Sequence, residues 1–531
     1  MMQRVGRHGL LAVVALAMGS TAMAARGAPQ SAAHANWPCN DPPPHAPSQS
    51  WLWAGAEFDP SWRADPAIAA LVTQTAQRRM TETDAVAQIA QFAAGRSDRA
   101  SAMARTGSGL IDMIGAEYRL VLDGIGRFND RQAALAKRMQ AAYAKLDSMP
   151  DDSAPAPNAE LVALQDQLRW DTRIFEDRQR LLPIMCRIPA ILTARLGILL
   201  AVAEENASAK TGGSAYLLYV TNERAGEISV IDPASRREID RIAVGKRPRG
   251  LVASPDHKLL YVAVSGSPIG GPGIDESSLP PPDQAADGIA VIDLATNKIV
   301  ETLRGVSDPE QLAISPDGRR IYVSSENSGK LLVLDPAGNV ISALAVGGEP
   351  EGVAVSPDGA VVLATSEEDG SVAVIRGDKP EVVTRIKVGE RPRNALFLRN
   401  GRAAVPGEFD SSIALIDYNQ GKLIRKIQLA SEDRPMGIAA AGAAILVTTG
   451  RGGKLVKIDP ADNGKTSPVE AVALVGERPW GLTLSPDGKT AVTANGPGED
   501  ITLVDVATMR IVAKIPSAGG PWGVAAVPLR R

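Results

Sequence analysis

The chain has 531 residues, 44% of them hydrophobic and 22% charged, with a formal net charge of -3. That length exceeds what one hydrophobic core supports, so at least two domains are expected. Acidic and basic residues are interspersed, which leaves no broad basic field to hold a phosphate backbone and excludes nucleic acid as a non-specific partner.

The N-terminus has the layout of an export signal. Arg4 and Arg7 precede an apolar run from Leu10 to Met18, and the small residues ending Ala22-Met23-Ala24 suit a signal peptidase. Residues 1–24 are therefore expected to be removed, and the mature chain is expected in the periplasm or outside the cell. The competing reading, a retained anchor, meets a run shorter than the ~20 residues a spanning helix needs. No cysteine follows the cut, which argues against a lipid attached there. Cys39 and Cys186 are the only cysteines. In an exported chain an even pair is most simply a disulfide, the alternative being two separate thiols. Closing a loop of about 147 residues would contribute about 5 kcal/mol at most in the chain-entropy picture.

Residues 25–64 form an extended, proline-rich segment, because the stretch from Trp37 to Ser50 cannot stay helical. A helical domain over 65–205 follows. Asp65 and Pro66 supply an N-cap and a first-turn proline, with Ile68, Leu71, Val72 and Thr75 on one face. Thr81 and Asp84 resemble a capping box ahead of the stripe Val86, Ile89, Ala90 and Ala93. From 97 to 146 there is no proline, and Leu110, Ile114, Tyr118, Val121, Ile125 and Phe128 recur at helical spacing, as one long helix or two in line. Residues 150–157 (Pro-Asp-Asp-Ser-Ala-Pro-Ala-Pro) break it, and 160–182, carrying Leu161, Leu164, Leu168 and Phe175, supplies the return helix of an antiparallel hairpin. The apolar run 181–203 is interrupted by Arg187 and Arg195 and broken by Pro183 and Pro189. It is expected to be a buried amphipathic helix, leaving the mature chain without a transmembrane segment. Residues 206–215 serve as the linker to the C-terminal region.

Over 216–531 one phrase repeats seven times: a proline beside a charged or aromatic residue, a short apolar strand, a turn, and further strands ending near Val-Ile-Asp. The prolines are Pro248, Pro309, Pro350, Pro392, Pro435, Pro479 and Pro521, at steps of 61, 41, 42, 43, 44 and 42 residues. A period in the low forties with four short strands per unit is the signature of a β-propeller. Turns such as Ser356-Pro357-Asp358-Gly359 join first and second strands. The region opens at Tyr216 with a second strand and finishes at Trp522 with a first strand. The two ends are expected to complete one shared blade and so remove the open sheet edges. The fold class is thus an all-β seven-bladed propeller preceded by an all-α helical module.

Tyr219-Val220-Thr221-Asn222, Ile228-Ser229-Val230-Ile231-Asp232 and the Ser-Pro-Asp-Gly turns resemble the YVTN-type β-propeller repeat family of exported and surface proteins. The resemblance covers about 216–527 and leaves the helical module unexplained. It implies a binding or surface protein with no shared catalytic set.

In a propeller the loops from fourth to next first strand, and from second to third strand, share the face around the central channel. The residue after each proline reads Arg249, Glu310, Glu351, Arg393, Met436, Trp480 and Trp522. A second ring, at the ends of the second strands, reads Ser265, Glu326, Glu367, Glu408, Gly450, Asn495 and Glu223. Carboxylates and arginines crowd one side of this mouth and an aromatic wall stands opposite. Such a mouth suits a ligand or partner loop with one flat apolar end and one cationic or metal-bridged end. The plainer alternative is that the charges pair with each other and the tryptophans pack blade interfaces. An insertion at 265–287 belongs to the same mouth, as a lid, a docking surface or a decorated loop.

Several chemistries are missing. No Cys-x-x-Cys-His exists for covalent haem, His257 is the one histidine in the repeats and sits on a turn of the opposite face, and no calcium-loop spacing occurs, so no cofactor and no metal is expected. Lactone hydrolysis is the enzymatic rival, with Glu367 or Glu408 as base and Arg393 or Arg249 polarising a carbonyl. Carboxylates beside arginines are usually depressed in pKa and make poor bases. The expectation is an exported, non-catalytic binding or assembly protein that captures a protein or small molecule at the propeller mouth.

Overall fold

The structure, a computed structural model, describes residues 37–39, 43–44, 46–52, 56–149, 159–207, 214–270, 279–461 and 469–529. The signal segment 1–24, the helix breaker at 150–157, most of the linker and the centre of the 265–287 insertion lie outside the described residues. Among the described residues four α-helices precede 28 strands: α1 (Pro66–Thr75), α2 (Glu82–Ala94), α3 (Arg99–Asp147) and α4 (Ala159–Ala207).

The helix starts follow the local chemistry. Asp65 accepts from the amides of Ala67 and Ile68, and Pro66 occupies the first turn, where its missing N–H costs nothing. Thr81 accepts from the Asp84 amide at 3.1 Å and donates its hydroxyl to the Asp84 carboxylate at 2.7 Å. α3 is one unbroken helix of 49 residues. α4 corrects the expectation that Pro183 and Pro189 break the chain, because one 49-residue helix runs through both. Each proline removes a backbone hydrogen bond, yet Leu192, Leu196, Leu199, Leu200 and Ala203 are buried in a core with α2 and α3, and that burial outweighs the defect. By length and composition α4 is also the one helix among the described residues that is apolar enough to cross a membrane, and 56% of its apolar stretch is buried within the protein. Both cysteines are oxidised, in a Cys39–Cys186 disulfide. Such a bond persists in oxidising surroundings.

Two compact units are present. One is built on Asp123–Pro183, the outer part of the α3/α4 hairpin. Leu135, Met139 and Ala142 pack against Leu164, Leu168 and Phe175, and Arg138 donates to Asp171 across the pair. The other unit joins Asn40–Leu122 and Ile184–Pro460 to Val469–Arg531, so the inner halves of both long helices share it with the propeller. Ile198 of α4 is buried with Leu446, Leu455 and Ile511, and Arg236 donates to the Ala201 carbonyl at 2.6 Å. Arg236 and Ile511 flank loops from third to fourth strands, which emerge at the end of the blades opposite the mouth. The C-terminal part of α4 thus packs along the outer strands of blades 5 and 6.

The propeller comprises seven four-stranded antiparallel sheets. Blades 1 to 6 begin at Pro248, Pro309, Pro350, Leu396 (with Pro392 held by an isolated bridge to Gly407), Pro435 and Pro479. Blade 7 takes its first strand from Pro521–Pro528 and its other three from Tyr216–Asn222, Glu227–Asp232 and Arg237–Ala243. Leu217 pairs with Val527 and Val220 with Val524, which closes the circle. The first-to-second turns are fixed by their own side chains: Ser356 donates to Asp358 at 2.6 Å, and Gly359 adopts a φ of 74°. His257 holds the matching position in blade 1 at a φ of 53°, where the other turns place glycine.

Candidate functional site

The phrase Pro-x-Gly has a steric cause. First strands converge on the axis so closely that a Cβ on Gly352 would stand 2.2 Å from the Arg393 carbonyl oxygen, and one on Gly481 would stand 2.5 Å from that of Trp522. The relation passes round the ring and across its seam, since a Cβ on Gly523 would meet the Arg249 carbonyl at 2.6 Å. Side-chain hydroxyls on the second strands lock the same contact. Thr221 donates to the Arg249 carbonyl at 2.7 Å, Ser324 to Glu351 at 2.5 Å, Thr365 to Arg393 at 2.6 Å and Thr448 to Trp480 at 3.1 Å. The residue after each proline is thereby pinned by its backbone, and its side chain has little choice but the channel.

Strand register corrects one member of the second ring. Asn495 pairs with Pro479, as Asn222 pairs with Pro521 and Ser366 with Pro350, so Gly496 occupies the ring position in blade 6. Asn495 is instead buried, bonded to Thr502 and Asp500. A one-residue slip reverses which face a side chain occupies, and length alone did not expose it.

The charged residues of both rings condense into two adjoining clusters. In the first, Arg249 is 2% exposed and reaches Glu326 at 3.2 Å, Asp308 at 3.7 Å and Glu223 at 3.8 Å, and it contacts Glu310; Arg247 holds Glu223 at 2.7 Å. In the second, Arg393 binds Glu408 at 2.6 Å and Glu351 at 2.9 Å and contacts Glu367, which Arg391 also contacts. Arg249, Asp308, Glu310, Glu351, Glu367, Arg393 and Glu408 are buried, Glu223, Arg247, Glu326 and Arg391 are half-buried, and the charges pair largely with one another. Burial pushes the Glu367 carboxyl up, with the Glu351 charge adding to it and Arg393 and Arg391 opposing. This reverses the depression expected of a carboxylate beside arginines. Three carboxylates face two guanidinium groups here, so one proton held on Glu367 makes the cluster neutral. Glu326 is raised for the same first reason, burial. Burial also works against charge on Arg393, but Glu351, Glu367 and Glu408 more than offset it and hold that guanidinium firmly protonated.

The opposite side of the mouth is aromatic. Trp480 and Trp522 meet edge to face at 5.4 Å and 84°. With Met436, Glu351 and Arg393 they line one cavity of about 210 Å³ on the axis, which brings the charged and aromatic sides together. The indole Nε1–H groups of both tryptophans are buried and have no hydrogen-bond partner among the described residues.

A third ring escaped the sequence reading. The residue before every repeat proline has positive φ: Arg247, Asp308, Glu349, Arg391, Arg434, Arg478 and Gly520, from 43° to 80°. Six of these are not glycine, and a left-handed backbone at such residues costs about 1–2 kcal/mol each. The signal was present as a recurrent charged residue at the position before proline. On blades 4 to 6 this ring presents three arginines. Arg391 and Arg434 both lie over the exposed Phe409 ring, at 5.1 and 4.6 Å from its centre, and Arg478 lies over Trp480 at 5.0 Å. The base of the 265–287 insertion is clamped by Asp287, which accepts from the amides of Gly266 at 2.7 Å and Asp308 at 3.0 Å. No cluster of three or more metal-ligating side chains exists among the described residues.

No protein-family model matches this chain. Over 138 residues it is 30% identical to Antigen Lp49 of Leptospira interrogans serogroup Icterohaemorrhagiae serovar copenhageni, a stretch that is 20% of this chain and 30% of that relative. The chain therefore spans less than a third of the curated relative it matches. Among solved structures, a functionally unknown protein from Desulfotomaculum acetoxidans is 15% identical with a TM-score of 0.48, over 60% of this chain and 100% of its own. A candidate 6-phosphogluconolactonase from Bacteroides fragilis gives the same values. Hydrazine synthase of Kuenenia stuttgartiensis is 18% identical with a TM-score of 0.44, over 53% of this chain and 95% of its own. Likeness at this level says nothing of activity.

Proposed function

We propose that this chain is an exported, periplasmic or secreted, non-catalytic binding or assembly protein of the YVTN propeller type, which captures a partner or ligand at the propeller mouth. The observation that carries this reading is the axial cavity of about 210 Å³, walled by Trp480 and Trp522 with two buried indole N–H donors left unpaired. A second partner fits the outer hairpin, where α4 exposes Trp170, Ile174 and Leu181 on one side.

Lactone hydrolysis is the weaker alternative. Its candidate bases, Glu367 and Glu408, are held by Arg391 and Arg393 and are almost wholly buried, and Glu367 keeps its proton at neutral pH. Pull-down with the mature chain from periplasmic extract, run beside a lactone panel, tests both readings. Trp480→Ala and Trp522→Ala should abolish capture while leaving the fold intact. Capture that survives both variants, or lactone turnover lost on Glu367→Gln without any stable partner, overturns the proposal.

A further inference from the structure

Closing the ring protects the first strands but leaves the fourth strand of every blade as an edge at the outer rim, where a row of backbone N–H and C=O groups is open to pairing with another chain. All seven fourth strands carry a bulge close to their start, which twists that part of the edge away. In five blades the bulged residue is an exposed aliphatic: Ile239, Val300, Ile341, Val383 or Ile424. The blades differ in what protects the rest of the strand. In blades 5 and 6 it is covered, since Val472, Ala473 and Ile511 line one crevice with Thr193 and Ala194 of α4. In blades 1, 3, 4 and 7 it is charged: Lys298–Leu303 carries two ionisable residues, Glu381–Lys387 and Lys422–Gln428 three each, and Arg237–Ala243 four. Blade 2 has neither guard. Its strand Val340–Ala345 reads Val-Ile-Ser-Ala-Leu-Ala, without charge or proline, and Val340, Ile341, Ala343 and Ala345 are exposed among the described residues.

We propose that this edge joins two copies of the chain: Val340–Ala345 pairs antiparallel with the same strand of a second copy about a two-fold axis, merging two four-stranded blades into one continuous sheet. The charges around the strand select a second copy in this direction. Asp335, in the turn before Val340, makes the start acidic, its carboxylate accepting from the Asn339 amide and side chain at 2.9 Å. The finish is basic, with Lys330 paired opposite Ala345 and Arg385 of blade 3 donating to the Ala345 carbonyl at 2.7 Å. An antiparallel copy sets each acidic end beside the other's basic end, twice by symmetry, whereas a parallel one sets like against like. Size runs the same way, because the bulky start at Val340 and Ile341 comes opposite the alanine-bearing finish. Arg385 occupies the last carbonyl and so marks where the pairing stops. Each copy offers one such edge, so assembly ends at two. One strand per copy is a contact below the ~1,200 Å² of stable interfaces, which sets the expected Kd at about 10 µM.

The test is sedimentation velocity of the full mature chain from about 1 to about 200 µM, over which monomer should give way to dimer. Ile341→Lys and Ile239→Lys place the same charge at the same bulge position in blades 2 and 7, so any cost to folding is shared. Ile341→Lys should raise the Kd at least about tenfold, and Ile239→Lys should leave it unchanged. Cys39 and Cys186 are both oxidised, so a cysteine introduced singly at Ser342, Ala343 or Leu344 is the one free thiol. The position nearest the two-fold axis should link two copies on a non-reducing gel. A monomer across the whole range, a dimer equally sensitive to both lysines or to neither, or no cross-link at any of the three positions would each overturn the proposal. Partner capture lost on Ile341→Lys in a chain that stays monomeric would give the edge to another protein's strand, and would likewise overturn it. Trp480→Ala and Trp522→Ala should leave the dimer intact, so failure of the mouth reading and failure of this one are separate results.

Discussion

Replacing Arg393 with methionine removes a guanidinium that three carboxylates share while keeping the length of the side chain. Arg391 alone would then face Glu351, Glu367 and Glu408, of which the first two contact no other arginine or contact only Arg391. Removing one partner from a buried ion pair costs about 3–5 kcal/mol, because the remaining charge is stranded away from water. Glu351 is left with no arginine, while Glu408 and the protonated Glu367 keep Arg391, which places Arg393→Met within that range. Protonation relieves the cost, so the gap between wild type and variant should narrow as pH falls from about 8 to about 5. Urea unfolding across that pH series measures it, with the midpoint falling and the slope unchanged if the native state stays compact. Adding Glu351→Gln and Glu408→Gln should recover most of the loss. A loss under about 1 kcal/mol, the worth of a surface pair, and independent of pH, would refute the buried-cluster account.

Glu367 also sets a pH dependence in the intact protein. Its folded pKa is pushed up to about 8, above that of the unfolded chain, so the folded state binds the extra proton. Its contribution is full below the ordinary carboxylate range and is lost as pH rises through about 8; Glu367→Gln should flatten this decline in a urea-midpoint series between about pH 5 and 9. Gly523→Ala places a Cβ 2.6 Å from the Arg249 carbonyl oxygen and 2.8 Å from Leu251, and should cost about 1–3 kcal/mol by thermal or urea unfolding. Truncation after Gly520 removes the strand that pairs with Tyr216–Asn222. It should yield an aggregating protein by light scattering, restored by a synthetic peptide of residues 521–529. Cys39→Ser with Cys186→Ser should lower stability by up to about 5 kcal/mol relative to the oxidised chain in non-reducing urea unfolding.

Periodicity and turn chemistry determined the architecture from the sequence by itself. Seven prolines at near-constant spacing, glycine or its equivalent in each tight turn, and an incomplete blade at either end admit one closed ring, because turn types and strand alternation are local. The caps of α1 and α2 at Asp65 and Thr81 were legible for the same reason, and the proline-free run 97–146 marked α3 as one long helix or two in line. Tertiary structure alone decided three things. Pro183 and Pro189 did not end α4, since buried Leu192, Leu196 and Leu199 outweigh two missing hydrogen bonds. Gly496, not Asn495, took the ring position, since register is fixed by pairing across strands. The mouth charges were also decided there. A tally of glutamates and arginines gives composition, but only their convergence on one axis shows Arg249 and Arg393 consumed by carboxylates while Arg434 and Arg478 are left over. Burial and pairing depend on residues some forty positions apart meeting at a few ångströms, and no local pattern carries that information.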